Sequence, residues 1–187
     1  MLPVGPLMEE HRIIERIVPL IRGAAEAARR DGRIDLRQVD LALDFIRTYA
    51  DRCHHGKEED ILFAALERKP LTAAHRRTLA GLLAEHRRGR RAVREVAAAA
   101  ESYRGGDQAA LTVIIAGLEF LADLYPRHIK KEDQDFFLPV MDYFDQAEKE
   151  ELIEAEREFD RGLIHAIYRD KVRRIGVQEI PAGAGRL

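Results

Sequence analysis

The chain has 187 residues, 46% of them hydrophobic and 34% charged, so it can bury a core and does not have a disordered composition. The formal net charge is −2, and aromatic residues are not interleaved with the arginines, which argues against a nucleic-acid-binding protein. The single cysteine, Cys53, excludes an internal disulfide and fits a reducing compartment. No apolar run approaches membrane-spanning length, and the first residues lack the pattern of a signal peptide. We therefore expect a cytoplasmic protein without a membrane or nucleic-acid partner.

Apolar residues recur at helical spacing along the chain, and Pro and Gly residues cluster at plausible helix boundaries. The pattern predicts helix A over about 7–30, helix B from a cap at Asp35 to about 69, helix C from a cap at Thr72 to about 104, helix D from a cap at Asp107 to about 132, and helix E over 145–175. The inward stripe of helix B is predicted to be Leu41, Phe45, Thr48, Arg52, His55, Glu59, Leu62 and Leu66. Residues 176–187 are expected to form a flexible tail.

The short connections between the first four helices favour antiparallel neighbours. The sequence therefore predicts an all-α fold, in which an antiparallel up-down-up-down four-helix bundle spans residues 6–141. Helix E, residues 145–175, is predicted to extend this bundle within a single domain of residues 1–187.

Two similar motifs lie on helices B and D. His55 and Glu59 are four residues apart, as are His128 and Glu132, and each glutamate is followed by an aspartate. Residues four apart project from one face of a helix, and both pairs lie on otherwise apolar stripes. Ionisable side chains are rarely buried unless they are compensated, and imidazole and carboxylate both bind iron, zinc or manganese. The motifs therefore predict a metal site.

Single histidines extend this pattern to the other two helices. His11 lies on the inward stripe of helix A, and His86 lies on that of helix C. Antiparallel threading can bring one histidine from each of the four helices to the same level of the bundle. A core histidine that serves only packing would not be expected once per helix.

Four further residues compete for a place at this site. His54 and Glu58 form an overlapping pair with the same spacing, but alignment with the second motif, through the aspartate after its glutamate, favours His55 and Glu59. Glu15 lies four residues after His11 and is a candidate ligand or partner of a ligand, as is Tyr125, although a solvent-facing charge and a packed ring are the simpler interpretations.

The motifs around His11, His55/Glu59, His86 and His128/Glu132 resemble those of the hemerythrin-like (HHE cation-binding) domains, in the same order along the chain. The resemblance implies a four-helix bundle with two irons at its centre, joined by an oxo or hydroxo group. It also implies that His11, His55, His86 and His128 are terminal ligands and that Glu59 and Glu132 bridge the metals. Zinc or manganese could replace iron in a purified sample.

One position departs from the family pattern. Oxygen-carrying hemerythrins have a second histidine four residues before the one that corresponds to His86, and here that position is Leu82. With four histidines, two bridging carboxylates and one bridging oxygen, two six-coordinate irons would keep two open positions. The resemblance thus implies a di-iron protein that binds dioxygen, peroxide or nitric oxide, with no catalytic residue assigned. Alternatives are an iron, oxygen or redox sensor that acts through a partner protein, and an enzyme that consumes peroxide or nitric oxide.

Overall fold

A computed structural model describes residues 2–174, which are mostly helical and contain no strand. Its elements are α1 (Val4–Asp31), α2 (Leu36–Phe45), π1 (Ile46–His55), π2 (Glu58–Phe63), α3 (Ala64–Glu67), α4 (Ala73–Arg104), α5 (Ala110–Lys130), π3 (Lys131–Phe136), α6 (Phe137–Val140), a short 3-10 turn (Met141–Tyr143) and α7 (Gln146–Arg174). Predicted helix B corresponds to the run from α2 to α3, and helix D continues from α5 into π3. The predicted tail, residues 176–187, and the predicted last residue of helix E lie outside the described residues.

Side-chain caps fix the starts of α2 and α4, as expected from the sequence, whereas the predicted cap Asp107 lies in the turn before α5, whose N-cap position, Ala109, makes no side-chain bond. Asp35 accepts a hydrogen bond from the backbone of Arg37, and Thr72 accepts one from the backbone of His75. Asp107 accepts one from the backbone N–H of Ala109, just before α5. These bonds satisfy donors that the first turn of a helix leaves without a partner. The predicted boundaries therefore agree with the structure to within a few residues.

Two apolar clusters fill the bundle, one at each end. The first contains Ile14, Val18, Ala50, Val93, Ile114 and Leu118, and the second contains Leu7, Leu62, Leu79, Leu82 and Phe136. α1 and α4 run from the second cluster to the first, whereas the α2–π2 run and the α5–π3 run go the opposite way. Neighbouring helices are therefore antiparallel, which confirms the predicted four-helix bundle with a C-terminal helix.

The π-helical segments change which residues of the second helix face inward. The buried residues are spaced four apart over the whole run Ile46, Ala50, His54, Glu58, Leu62 and Leu66. On an α-helix each step of four overshoots a full turn by about 40°, so five steps would carry the stripe about 200° around the axis. The wider turns cancel this drift, for instance where the Gly56 N–H bonds to the carbonyl of Asp51, five residues back. The first half of the predicted stripe was wrong, since Leu41 is 72% exposed.

Helix α7 packs outside the bundle, mainly against π2. Its Leu152 joins the second apolar cluster, and its Glu156 is also buried. The limits predicted for the bundle and for the extra helix within one domain remain a prediction. Within residues 2–174, no helix is both long enough and apolar enough to cross a membrane.

Candidate metal centre

Two groups of ligand-type side chains lie between the apolar clusters. One group consists of His55, Glu58, His86 and His128, and the other of His11, His54, Glu58 and Glu132; in each, the donor atoms lie within 4.8 Å of one another. All seven residues are buried, and the most exposed of them, His55, has an exposed fraction of 6%. We call the first the three-histidine half and the second the two-histidine half of the centre.

The two glutamates connect the halves. One oxygen of Glu58 lies 3.2 Å from Nε2 of His54, and its other oxygen lies 3.4 Å from Nε2 of His86. Oε2 of Glu132 lies 3.2 Å from Nε2 of His11 and also 3.2 Å from Nε2 of His128. Each carboxylate is therefore within reach of histidines from both halves.

The structure brings together five of the six residues first chosen as ligands: His11, His55, His86, His128 and Glu132. The sixth, Glu59, belongs to neither group, and its side chain is 24% exposed. Glu58 takes its place because the π-helical winding continues the stripe from His54 to Glu58. The expectation that Glu59 faces the centre is thus corrected by one residue.

Of the other candidate ligands, His54 lies in the centre, whereas Glu15 and Tyr125 do not. His54 lies in the centre beside His55, so both neighbouring histidines point inward. Glu15 is 41% exposed and pairs with Arg12, and Tyr125 is buried outside both groups. Leu82 is fully buried in the second apolar cluster, so the fifth histidine of the centre comes from the second helix and not from the third.

A ring of carboxylates surrounds the histidines. Nδ1 of four of the five inner histidines lies next to a carboxylate oxygen of the preceding helix around the bundle: Glu10 with His54 (3.0 Å), Glu59 with His86 (2.6 Å), Glu85 with His128 (2.9 Å) and Asp133 with His11 (2.7 Å). His55 instead pairs with Asp51 on its own helix, at 3.4 Å. When Nδ1 donates to a carboxylate, Nε2 carries the lone pair and faces the centre, as in histidines that bind metals.

Cations in turn hold these outer carboxylates. Four basic side chains make the contacts, and each lies on the same helix as a histidine that it supports: Arg12 with Asp133, Lys57 with Glu10, Arg90 with Glu59, and Lys131 with Glu85. Arg90 also holds Asp51, the partner of His55 on the second helix. Arg90 Nε lies 2.7 Å from Asp51, and its Nη2 lies 2.8 Å from Glu59. The imidazoles are therefore oriented by two successive layers of charge.

Burial and charge shift the pKa values of the inner groups. Burial, reinforced by the neighbouring His86, lowers the pKa of His55 to about 3, which keeps this imidazole neutral. Burial also raises the pKa of Glu132, and the nearby Glu58 carboxylate raises it further. For Glu58, the effect of burial is outweighed by His54, which holds its pKa well below the usual range. Two carboxylates in one buried layer thus compete for stabilisation that a cation would supply.

Buried polar atoms without hydrogen-bond partners indicate whether the site fits a metal. Both carboxylate oxygens of Glu58 and Glu132, and Nε2 of His11 and His54, are buried without a hydrogen-bond partner. Such groups are costly unless something compensates them, and these atoms are the ones that face the centre. Imidazole nitrogen and carboxylate oxygen form a donor set suited to iron, zinc or manganese. The residues therefore fit a pair of metal ions.

A small cavity lies beside the three-histidine half. Its volume is about 130 Å³, and it is lined by Ile46, Arg47, Asp51, His55, Gly89, Arg90, Val93, Arg94 and Tyr125. Tyr125 and Gly89 thus border a space next to His55 while standing apart from the ligand groups. The cavity is large enough for a few water molecules or one small molecule.

Comparison with known proteins identifies the family. A family model described as "Hemerythrin HHE cation binding domain" matches residues 2–138. The chain belongs to this hemerythrin family. No curated protein and no solved structure matched the chain. The match covers the four bundle helices and all seven inner residues, so the chain is a metal-binding hemerythrin-like protein.

Sequence reasoning expected Glu59 to bridge the metals and missed the other outer carboxylates of this hemerythrin-like centre, although a local signal was present. Glu10 and Glu85 each precede an inner histidine, and Glu59 and Asp133 each follow an inner glutamate. Each of these acids is adjacent in sequence to an inner residue of its own helix, but its carboxylate contacts Nδ1 of a histidine on the next helix. Its role therefore depends on tertiary packing. The resemblance stated from the sequence is confirmed by the family match.

Proposed function

We propose that this protein is a non-haem di-iron protein that binds dioxygen or a related small ligand, peroxide or nitric oxide. The observation that carries the proposal is the buried layer of five inward imidazole nitrogens and two shared, unpartnered carboxylates. A bound iron pair would supply electrons and coordination positions for such ligands. In the proposal His55, His86 and His128 hold one ion, and His11 and His54 hold the other. Glu58 and Glu132 are shared between them.

The unequal halves support a small-ligand function. With both carboxylates shared, the two-histidine half has one protein donor fewer than the other half. If the ions also share one bridging oxygen and are six-coordinate, one position remains open, and it belongs to the two-histidine half. The earlier count of two open positions omitted His54. One open position suits a single small ligand and brings the proposal closer to oxygen carriage than four histidines would.

The net charge of the inner and outer side chains favours a pair of divalent cations. The two inner and five outer carboxylates face four basic side chains, which would leave three net negative charges on these groups once every imidazole is neutral, as metal binding requires. Two divalent cations with one hydroxide would neutralise this excess, whereas a single divalent cation would not. This balance favours two ions and does not choose between iron, zinc and manganese.

The surrounding residues keep water out. Phe137 stacks on His11 with ring centroids 5.6 Å apart, and Phe63 stacks on His86 at 6.0 Å. Both phenylalanines are almost fully buried, and apolar clusters close the layer from both sides. A dry pocket strengthens the hydrogen bonds that orient the imidazoles and limits side reactions with solvent.

A second candidate function is an iron or redox sensor that acts through a partner protein. It is favoured by one observation, the packing of α7 on the helix segment that carries His54, His55 and Glu58. Such a sensor would transmit occupancy of the centre to the outside of the bundle. Cytoplasmic location remains a prediction for either function.

Metal analysis and ligand kinetics test the proposal. Protein loaded anaerobically with iron(II) should hold about two ions per chain and, after oxidation, show the charge-transfer absorption of a coupled ferric pair. Stopped-flow mixing with dioxygen, peroxide or nitric oxide then separates the functions. A stable, reversible adduct supports carriage, rapid consumption supports an enzyme, and a structural change without consumption supports a sensor. One ion per chain, or a folded protein that holds only zinc, would contradict the di-iron proposal.

A further inference from the structure

Helix α7 lies outside the family-matched region, yet it contacts the segment between two inner residues. A Cβ atom at Gly56, two residues before Glu58, would lie 2.7 Å from Cζ of Phe159 on α7. Only a glycine allows the aromatic ring to approach the backbone this closely. The next residue, Lys57, places its ammonium 2.9 Å from a carboxylate oxygen of Asp160. The helix is therefore fixed at the point where the ligand-bearing segment turns inward.

Lys57 is the link between α7 and the two-histidine half. Its side chain is 1% exposed, and its ammonium contacts both Glu10 and Asp160. Glu10 also faces Nδ1 of His54 at 3.0 Å. A buried ammonium is stable only when carboxylates compensate its charge, so removing Asp160 should change how Lys57 contacts Glu10. An unbroken chain of charged contacts thus runs from α7 to an inner histidine.

The other three cations of the ring differ from Lys57. Among the described residues, Arg12, Arg90 and Lys131 pair with carboxylates of the four-helix bundle alone. Lys57 alone in the ring has a partner on α7. Cys53, Glu10 and Asp160 could by geometry form a third ligand group, but the ammonium of Lys57 already occupies contacts to both carboxylates. The cluster is therefore better suited to positioning than to a further metal.

We propose that α7 is a positioning element of the metal centre, in which Asp160 acts through Lys57 and Glu10 to orient His54. Occupancy of the two-histidine half and docking of α7 then favour each other, because coupling between two sites is reciprocal. The inference rests on the proposed two-metal function and adds to it a route from the centre to the surface. If the protein is a sensor, this route would transmit metal occupancy from the centre to the surface of the protein.

The test compares Asp160→Asn with Glu158→Gln, which changes a neighbouring acid on α7. Glu158 is 72% exposed and pairs with Arg161 of the same helix, so it controls for charge and for helix stability. The full-length metal-free proteins are titrated with cobalt(II), whose absorption reports histidine coordination. Hydrogen exchange over residues 149–163 is measured with and without cobalt, and circular dichroism checks folding.

Removing the outer partner of a metal-bound histidine costs about 10- to 100-fold in affinity, so a change at Asp160, two contacts further out, should cost less, about 3- to 10-fold. We expect Asp160→Asn to weaken one of the two cobalt steps by that factor and to leave the other within about twofold. In the wild type and in Glu158→Gln, cobalt should slow exchange in α7 several-fold, and Asp160→Asn should reduce this effect.

Several results would overturn the inference. In the first, Asp160→Asn weakens both cobalt-binding steps equally; in the second, it weakens neither. In the third, hydrogen exchange in α7 of the wild type does not respond to cobalt. If the wild type binds two cobalt ions and one of these results is seen, the positioning role fails while the two-metal function stands. If the wild type binds fewer than two, both fail.

Discussion

Replacing Glu58 and Glu59 by glutamine, one at a time, separates the two possible registers of the second helix. Glu58 reaches histidines of both halves, at 3.2 and 3.4 Å, whereas Glu59 contacts one inner histidine, His86, at its outer nitrogen. Glu58→Gln should therefore remove both metal ions, and Glu59→Gln should weaken binding at the three-histidine half alone. Glutamine preserves the size of the side chain, so the comparison isolates the negative charge.

The magnitudes follow from the positions of the two carboxylates. The donors of each half lie within 4.8 Å of one another, so a cation among them lies within about 4 Å of Glu58. At an effective dielectric constant of 20, two unit charges at this distance attract by about 4 kcal/mol, and a divalent cation roughly doubles this energy, so losing the Glu58 charge should lower the affinity of each half by roughly 1,000-fold or more. Glu59 is an outer partner, and its loss should cost about 10- to 100-fold, or about 1.4 to 2.8 kcal/mol.

The assay is metal content by mass spectrometry after anaerobic iron loading and desalting, together with competition against a chelator of known affinity. Glu158→Gln is the control, because Glu158 is 72% exposed, belongs to neither group and pairs with Arg161 of α7. If Glu58→Gln keeps both ions while Glu59→Gln loses them, the inward register deduced from the π-helical segments is refuted.

Three further predictions concern single residues of the bundle and of α7. His54→Ala and His55→Ala should each lower metal content, in contrast to the expectation from sequence that only His55 matters; normal metal content in His54→Ala would remove that residue from the centre. Chelation should lower the melting temperature of the wild type, because metal stabilises only the folded chain. Glu132→Gln should reduce the difference in melting temperature between the metal-bound and metal-free forms, because the buried, unpartnered carboxylate of Glu132 destabilises the metal-free form. A difference that calorimetry finds unchanged would refute the argument. Burial raises the pKa of Glu156 to about 8, so this residue favours the folded state below its unfolded pKa, and the contribution is lost as the pH rises through about 8. Glu156→Gln should therefore raise the melting temperature more at pH 9 than at pH 5, and equal shifts at both pH values would contradict that pKa.

Much of the fold was predictable because its signals are local. The inward stripe of α1 (Leu7, His11, Ile14, Val18 and Ile21) is buried as the 3.6-residue period predicts. The same period failed on the second helix, because the winding there is wider than that of an α-helix. The unbroken spacing of four from Ile46 to Leu66 was the available sign of this change. A stripe that keeps a spacing of four over five steps indicates π-helical winding.

The site was less predictable than the fold, for two physical reasons. An error of one residue in register exchanged Glu58 for Glu59, since both are glutamates and the aspartate used to align the motifs favoured Glu59. The outer pairs depend on tertiary contacts: Glu10 and His54 are 44 residues apart, and His11 and Asp133 are 122 apart. Asp51 and His55, four apart on one helix, form the one outer pair among the described residues that helical spacing alone could suggest.

The most direct measurement is anomalous X-ray diffraction at the iron edge from crystals of the iron-loaded protein. The account predicts two anomalous peaks in the buried layer, one among His55, His86 and His128 and one between His11 and His54. Glu58 and Glu132 should contact both peaks, and Glu59 should contact neither. A single peak, or a pair of peaks bridged by Glu59 in place of Glu58, would contradict it.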